Sequence, residues 1–138
     1  MRLVRMSKEA CFMNINKFTQ KSLQAVQDCE KIAMDYGNQE IEQEHLLYAL
    51  LTQDDGLIPK MIEKMGLDIG VVTQRVEQAI AGRTKVQGGK QYVGQDLNNV
   101  LVHAEDEAKQ MGDEYVSVEH LFLAMLRYPS RAMKGIFR

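Results

Sequence analysis

The 138-residue chain has no tryptophan, only two prolines, and aromatic residues amounting to just 7% of the total. It has no run of about 18 apolar residues, so no segment reads as a membrane-spanning helix. An excess of charge is missing too: 17 Lys and Arg against 19 Asp and Glu leave a net charge of −2. That balance argues against a nucleic-acid binder, which carries a basic excess clustered on one face. The two cysteines, Cys11 and Cys29, make neither a C-x-x-C motif nor a disulfide framework, which fits a reducing cytoplasm. What is plentiful is core material: 45% of residues are hydrophobic, nine of them methionine, in a chain of single-domain length. The expectation is a globular cytoplasmic protein.

Residues 1–12 (MRLVRMSKEACF) show neither helical nor strand periodicity and lack the apolar run of a signal peptide. Regular patterning begins only after Met13, and Lys8-Glu9-Ala10 is encodable as a purine-rich ribosome-binding site. The first 12 residues are therefore expected to be a leader or a loose tail. A natively expressed protein whose mass begins at Met1 would contradict this.

An internal repeat organises the remainder. Glu44-His45-Leu46 recurs as Glu119-His120-Leu121, 75 residues later. At the same offset Gly37 meets Gly112, Glu30 meets Glu105, Ala33 meets Ala108, Ile41 meets Val116, and Leu50 meets Met125. The matches fall mainly on apolar and glycine positions, which marks a tandem duplication.

Each copy reads as helices. Thr19 is a natural N-cap for a helix carrying Leu23, Val26, Ala33 and Tyr36, and Gly37 stands where a left-handed C-cap is expected. Ile41 then makes a short extended link into a second helix with an apolar stripe of Leu46, Leu47, Leu50 and Leu51. After the turn Asp54-Asp55-Gly56, a third helix is predicted over 57–65 and a fourth, capped by Asp68, over 69–81. The second copy repeats this with Leu97, Val100, Leu101, Ala104 and Ala108 before Gly112, then a helix after Ser117 and another after Ser130. A counterpart of the fourth helix would fall near 143–156. The predicted organisation is a first repeat over 13–82, a flexible linker over 83–94 without an element of its own, and an incomplete second repeat over 95–138, together one domain.

Gly88-Gly89-Lys90 is no phosphate loop, because the motif needs Gly and Ser or Thr where Thr84 and Gln91 stand. Glu42-Gln43-Glu44-His45 has the E-x-x-H spacing of di-iron bundles, but Ser117 replaces the glutamate in the second copy. His45 and His120 are read as helix-start residues packing within their own repeats, and Cys29 as core. Glu105-Asp106-Glu107 reads as a solvated helix face. No catalytic residue, metal ligand or cofactor site is expected in this chain. Glu44 and Glu119 lie in the first turn of their helices, where a carboxylate complements the helix dipole. Both sit beside the seam where the copies meet, which leaves a binding role open.

Thr19, Gly37 with Glu44-His45-Leu46-Leu47, and the run from Gly112 to Leu121 (GDEYVSVEHL) resemble the duplicated Clp N-terminal domain of AAA+ unfoldases. Met13 to Thr19 (MNINKFT) is similar to the usual opening of these proteins. Asn38-Gln39-Glu40-Ile41-Glu42 and the Lys85-Val86-Gln87-Gly88 linker look like the ClpB disaggregase branch. The ClpC and ClpA branch, which feeds a protease, usually carries Gly-Thr-Glu-His in both repeats.

The resemblance implies an all-α fold of two tandem, pseudo-two-fold-related four-helix Clp repeats, the second without its last helix. It implies a non-catalytic module above a hexameric AAA+ ring, whose ATP and magnesium sit in downstream ATPase modules. The partners it implies are unfolded or aggregated proteins and adaptor proteins, with no nucleic acid and no membrane, and the isolated domain is expected to be a monomer. Substrate-handling positions of the family correspond to Thr19, Asp113 and Glu119, and the groove between repeats to Leu101 and Val102. In the ClpC branch, Glu44 and Glu119 would receive phosphoarginine. His103, Glu107 and His120 stand where that groove is usually more apolar. A stand-alone adaptor without an ATPase is the third reading.

Overall fold

In the computed structural model, which describes residues 15–137, Thr19 opens the first long helix, α1 (Gln20–Asp35). Its side-chain oxygen accepts from the Ser22 amide at 3.2 Å, satisfying one of the orphan donors of the first turn. The helix ends at Gly37, whose φ of +73° only glycine adopts without strain. There the Asn38 amide donates back to the Ala33 carbonyl at 2.8 Å, closing a Schellman turn. The expectations for residues 1–12 and for Met13 lie outside the described residues.

Beyond that turn come β1 (Glu40–Ile41), α2 (Gln43–Leu51), α3 (Leu57–Lys64) and α4 (Ile69–Ala81). The second copy follows as β2 (Tyr92–Val93), α5 (Gln95–Gln110), α6 (Val118–Arg127) and α7 (Arg131–Ile136). The predicted helices are all present, and Asp68 caps α4 through the Gly70 and Val71 amides. The end of α5 repeats the end of α1: Gly112 has a φ of +74°, and Asp113 donates to the Ala108 carbonyl at 2.8 Å.

The segment over 83–94 departs from the expected featureless linker. β2 lies within it and pairs in parallel with β1, Glu40 against Tyr92 and Ile41 against Val93. The Val86 amide donates to the Gly37 carbonyl at 2.8 Å, and the Gln91 side chain donates to the carbonyls of Glu30 and Asn38. Two residues are too few to show a strand period, and their partner lies in the other repeat. Only the tertiary fold makes them a strand.

This pairing has a mate. Phe18 bridges Val116 in parallel, and these residues stand 75 positions from Val93 and Ile41 respectively. The residue leading into each repeat's first helix therefore pairs with the link segment of the opposite repeat. The Thr19 amide donates to the Val116 carbonyl at 3.0 Å, and the Gly94 amide to the Ile41 carbonyl at 2.8 Å. One hydrophobic core runs through both repeats, including Ile41, Leu46, Leu47, Leu50, Leu97, Leu101, Leu121 and Phe122.

At the centre lies α2, buried from Gln43 to Leu50 apart from Tyr48. Gln43, wholly buried, ties three elements: its Nε2 donates to the carbonyls of Asp96 and Tyr128, each at 2.9 Å, and its Oε1 accepts from the Ser130 amide at 2.9 Å. An apolar side chain there would remove all three bonds and take the acceptor from the buried Ser130 amide, and such a buried orphan is expensive. Gln43→Ala is therefore expected to lower unfolding stability by about 2–3 kcal/mol in urea denaturation. A loss below about 0.5 kcal/mol, the usual scale of surface substitutions, would show that the three bonds contribute little.

Candidate functional site

Each copy starts its second helix with the same histidine box. The main-chain N–H of Glu42 donates to Nδ1 of His45 at 2.9 Å, and that of Ser117 to Nδ1 of His120 at 2.9 Å. A backbone amide can only donate, so Nδ1 is the acceptor and the ring proton sits on Nε2. From there it is donated to Asn38 Oδ1 at 3.0 Å in the first copy and to Asp113 Oδ2 at 2.9 Å in the second. Both nitrogens of each ring are occupied, which bears out the helix-start reading of His45 and His120. Burial, with the Arg83 charge nearby, pushes the His45 pKa down to about 4, so that ring is neutral at physiological pH.

The two carboxylates that follow, Glu44 and Glu119, have diverged. Glu44 is 2% exposed and accepts from Arg83 Nη1 at 2.9 Å, while Nη2 of the same guanidinium reaches Glu40 at 2.6 Å. The planar fork of arginine suits such a two-carboxylate clamp. Glu119 is half-buried, and no ion pair engages it among the described residues. In front of Glu44 opens a cavity of about 550 Å³ that also carries Glu40, Glu42, Asp96 and Arg131.

Three of the predicted site residues gather around Val116–His120. Thr19 is joined to Val116 across the seam, Asp113 holds His120, and Glu119 lies in the first turn of α6. The loop leading into α6 also bears two large apolar residues, Met111 at 53% exposure and Tyr115 at 51%. Glu44 lies on the other side of the pseudo-two-fold, at the β1 seam.

The expected groove residues divide. Val102 is half-buried on α5, but Leu101 is 1% exposed and belongs to the core, which corrects its reading as a groove residue. One helical position apart, they point to different faces. Within the acidic run on α5, Asp106 is exposed as expected, but Glu107 is buried and paired with Arg127 Nε at 3.0 Å rather than solvated. His103 stacks on Tyr128 with ring centroids 4.1 Å apart. Cys29 is wholly buried, and burial raises its thiol pKa, so it is core as expected.

Sequence reasoning missed Glu42, Gln43 and Arg83. Two of them had a signal. Glu42 and Gln43 occupy the positions of Ser117 and Val118, so the first repeat carries larger polar groups where the second does not. Arg83, just beyond α4, had none.

A duplicated helical repeat, cross-paired at two seams and carrying a histidine box at each, defines this as a double-repeat helical domain. Residues 17–138 match the family profile described as Clp repeat (R) N-terminal domain, and the chain belongs to that family. Among its relatives, the chaperone protein ClpB of Nitratidesulfovibrio vulgaris is 41% identical over 128 residues, covering 89% of this chain and 15% of that protein. ClpB 2 of Nostoc sp. is 40% identical over 129 residues, covering 91% of this chain and 14% of the relative. The chain thus spans a small part of the curated relatives it matches. Among solved structures, the Hsp104 N-terminal domain of Candida albicans superposes with a TM-score of 0.77 at 19% identity, over 88% of this chain and 79% of that one. The N-terminal domain of the ClpV1 ATPase from E. coli gives a TM-score of 0.77 at 20% identity, over 88% and 77%. These two show the fold. The ClpB resemblance read from the residues stands with these relatives.

The Arg83 clamp is open to test. Arg83→Ala leaves the buried Glu44 carboxylate uncompensated and is expected to cost about 2–4 kcal/mol in chemical denaturation, since losing one partner of a buried pair exposes its full desolvation penalty. Adding Glu44→Gln to that variant should recover a good part of the loss. Equal stability of the single and double variants would contradict the clamp.

Proposed function

We propose that this chain is the N-terminal client- or adaptor-binding module of a ClpB-type, ATP-dependent cytoplasmic disaggregase, and that it binds polypeptide at the second-repeat seam. The observation that carries this reading is the loop before α6. Met111 and Tyr115, each about half exposed, flank Asp113 there, in the same second-repeat seam as Thr19 and Glu119. An unfolded client offers apolar side chains that gain about 25 cal/mol per Å² on leaving water. An edge this small supplies weak, sequence-tolerant binding once ordering costs are subtracted. Weak binding suits a module that must hand its client onward, and six copies on a ring would restore avidity. ATP and magnesium would act in ATPase modules beyond this domain. A solved complex of a ClpV N-domain with a VipB peptide supports peptide binding as something this fold does in a relative.

The phosphoarginine reading needs two available carboxylates. Glu44 is buried and already holds a guanidinium, that of Arg83, which favours the ClpB-type reading over the ClpC-type one. A stand-alone adaptor remains the reading from a different class, and a P-loop encoded downstream in the same gene would exclude it.

Amide shift mapping of the 138-residue chain separates these readings. A reduced, permanently unfolded protein is expected to shift Thr19, Val102, Asp113, Tyr115 and Glu119. Phosphoarginine is expected to leave Glu44 unmoved. Paired shifts at Glu44 and Glu119 with phosphoarginine would establish the ClpC-type reading instead, and silence at the Thr19–Tyr115 edge with the unfolded protein would overturn client binding there.

A further inference from the structure

The first-repeat seam contains a feature that the second lacks. Glu42 follows β1 and caps α2, and its side chain is folded over Gly94, the residue that leads from β2 into α5. The fit is so close that a Cβ at position 94 would overlap the Glu42 carboxyl. Glycine is required at 94 for space rather than for backbone freedom, since its φ of −69° is open to any residue. Glu42 is 6% exposed, and its buried Oε2 has no hydrogen-bond partner among the described residues. The same position in the second copy is Ser117, and the mate of Gly94 is Thr19.

We propose that the Glu42 carboxyl is a proton-operated latch on the β1–β2 seam, closing it when neutral and loosening it when ionised. The charges around it decide the direction. Glu40 on β1, Glu44 on α2 and Asp96 on α5 all oppose a further negative charge, and Arg83 after α4 is the cation that offsets them. Arg83 is already shared between Glu40 and Glu44, and Arg131 at the start of α7 stands across the cavity. His45, which receives the Glu42 amide, is neutral and adds no charge. Burial, followed by these carboxylates, pushes the Glu42 pKa from its ordinary 4.5 up to about 7.

A carboxyl whose pKa is raised by closure stabilises the closed form fully below its ordinary range. That stability is lost as pH rises through the raised value. An ionised Glu42 can regain hydration only by leaving Gly94, and leaving Gly94 frees the strand pair that joins the repeats. The seam therefore opens towards the alkaline side of neutrality and closes towards the acid side. Opening would widen the acidic cavity while the second seam, with its serine, stays shut.

Pseudo-symmetry supplies an internal control. Hydrogen exchange of the full chain is followed at two mated amides, Gly94 (bonded to Ile41) and Thr19 (bonded to Val116), between pH 5 and pH 8. After correction for intrinsic base catalysis, Gly94 protection is expected to fall by up to about tenfold per pH unit towards pH 7 and then level off. Thr19 protection should stay comparatively flat. In Glu42→Gln the fall at Gly94 should vanish, and in Asp96→Asn it should move to lower pH. The latch is overturned if Gly94 and Thr19 lose protection in parallel, or if Gly94 keeps its fall in Glu42→Gln. Should that variant fail to fold, Asp96→Asn against the wild type decides: an unmoved midpoint overturns the proposal.

Discussion

The fold depends on an exchange. Each repeat delivers the residue before its first helix to the link segment of the other, Val93 to Ile41 and Phe18 to Val116. A single helical repeat of this size, on its own, would bury only enough apolar surface for marginal stability. The exchange makes the two copies share one core and brings the start of each long helix, α1 and α5, against the link segment of the other copy. Helix caps, Schellman turns and the buried row of α2 all sit within the frame that these two short pairings set.

Within that frame duplication kept the scaffold and released the surface. The histidine box survives in both copies because one ring satisfies a backbone donor and a polar side chain at once. Next to it the copies part. The first fills its seam with Glu42, Gln43, Glu44 and an arginine clamp, while the second has serine, valine and a glutamate that, among the described residues, no arginine clamps. The first seam is thereby committed to holding helices together. The second is left with an exposed loop bearing Met111 and Tyr115, where another chain can be met at small cost.

How far this was legible follows from what each signal depends on. Helices were readable because caps and periodicity are local: Thr19, Gly37, Asp68, Gly112 and Ser130 each stand at the boundary where the structure uses them. The duplication was readable from the recurrence of Glu-His-Leu. The strand at Tyr92–Val93 was not, because its only reason to be extended is a partner some fifty residues away. Leu101 was misjudged for a similar reason. Its neighbour Val102 is equally apolar, and only the packing of α5 decides which of the two faces the core. The burial of Glu107 depends on Arg127 in another helix, and the clamp on Glu44 on Arg83 after another. Long-range polar pairing is where one-dimensional reading stops.

The asymmetry between two seams that the fold makes equivalent is the central claim. It is tested most directly by site-specific photo-crosslinking to an unfolded polypeptide, with the photoreactive side chain placed at Tyr115 beside the second seam or at Tyr92 beside the first, both exposed. Crosslinking concentrated at position 115, with little at 92, is the predicted result. Equal yields, or capture chiefly at 92, would contradict it.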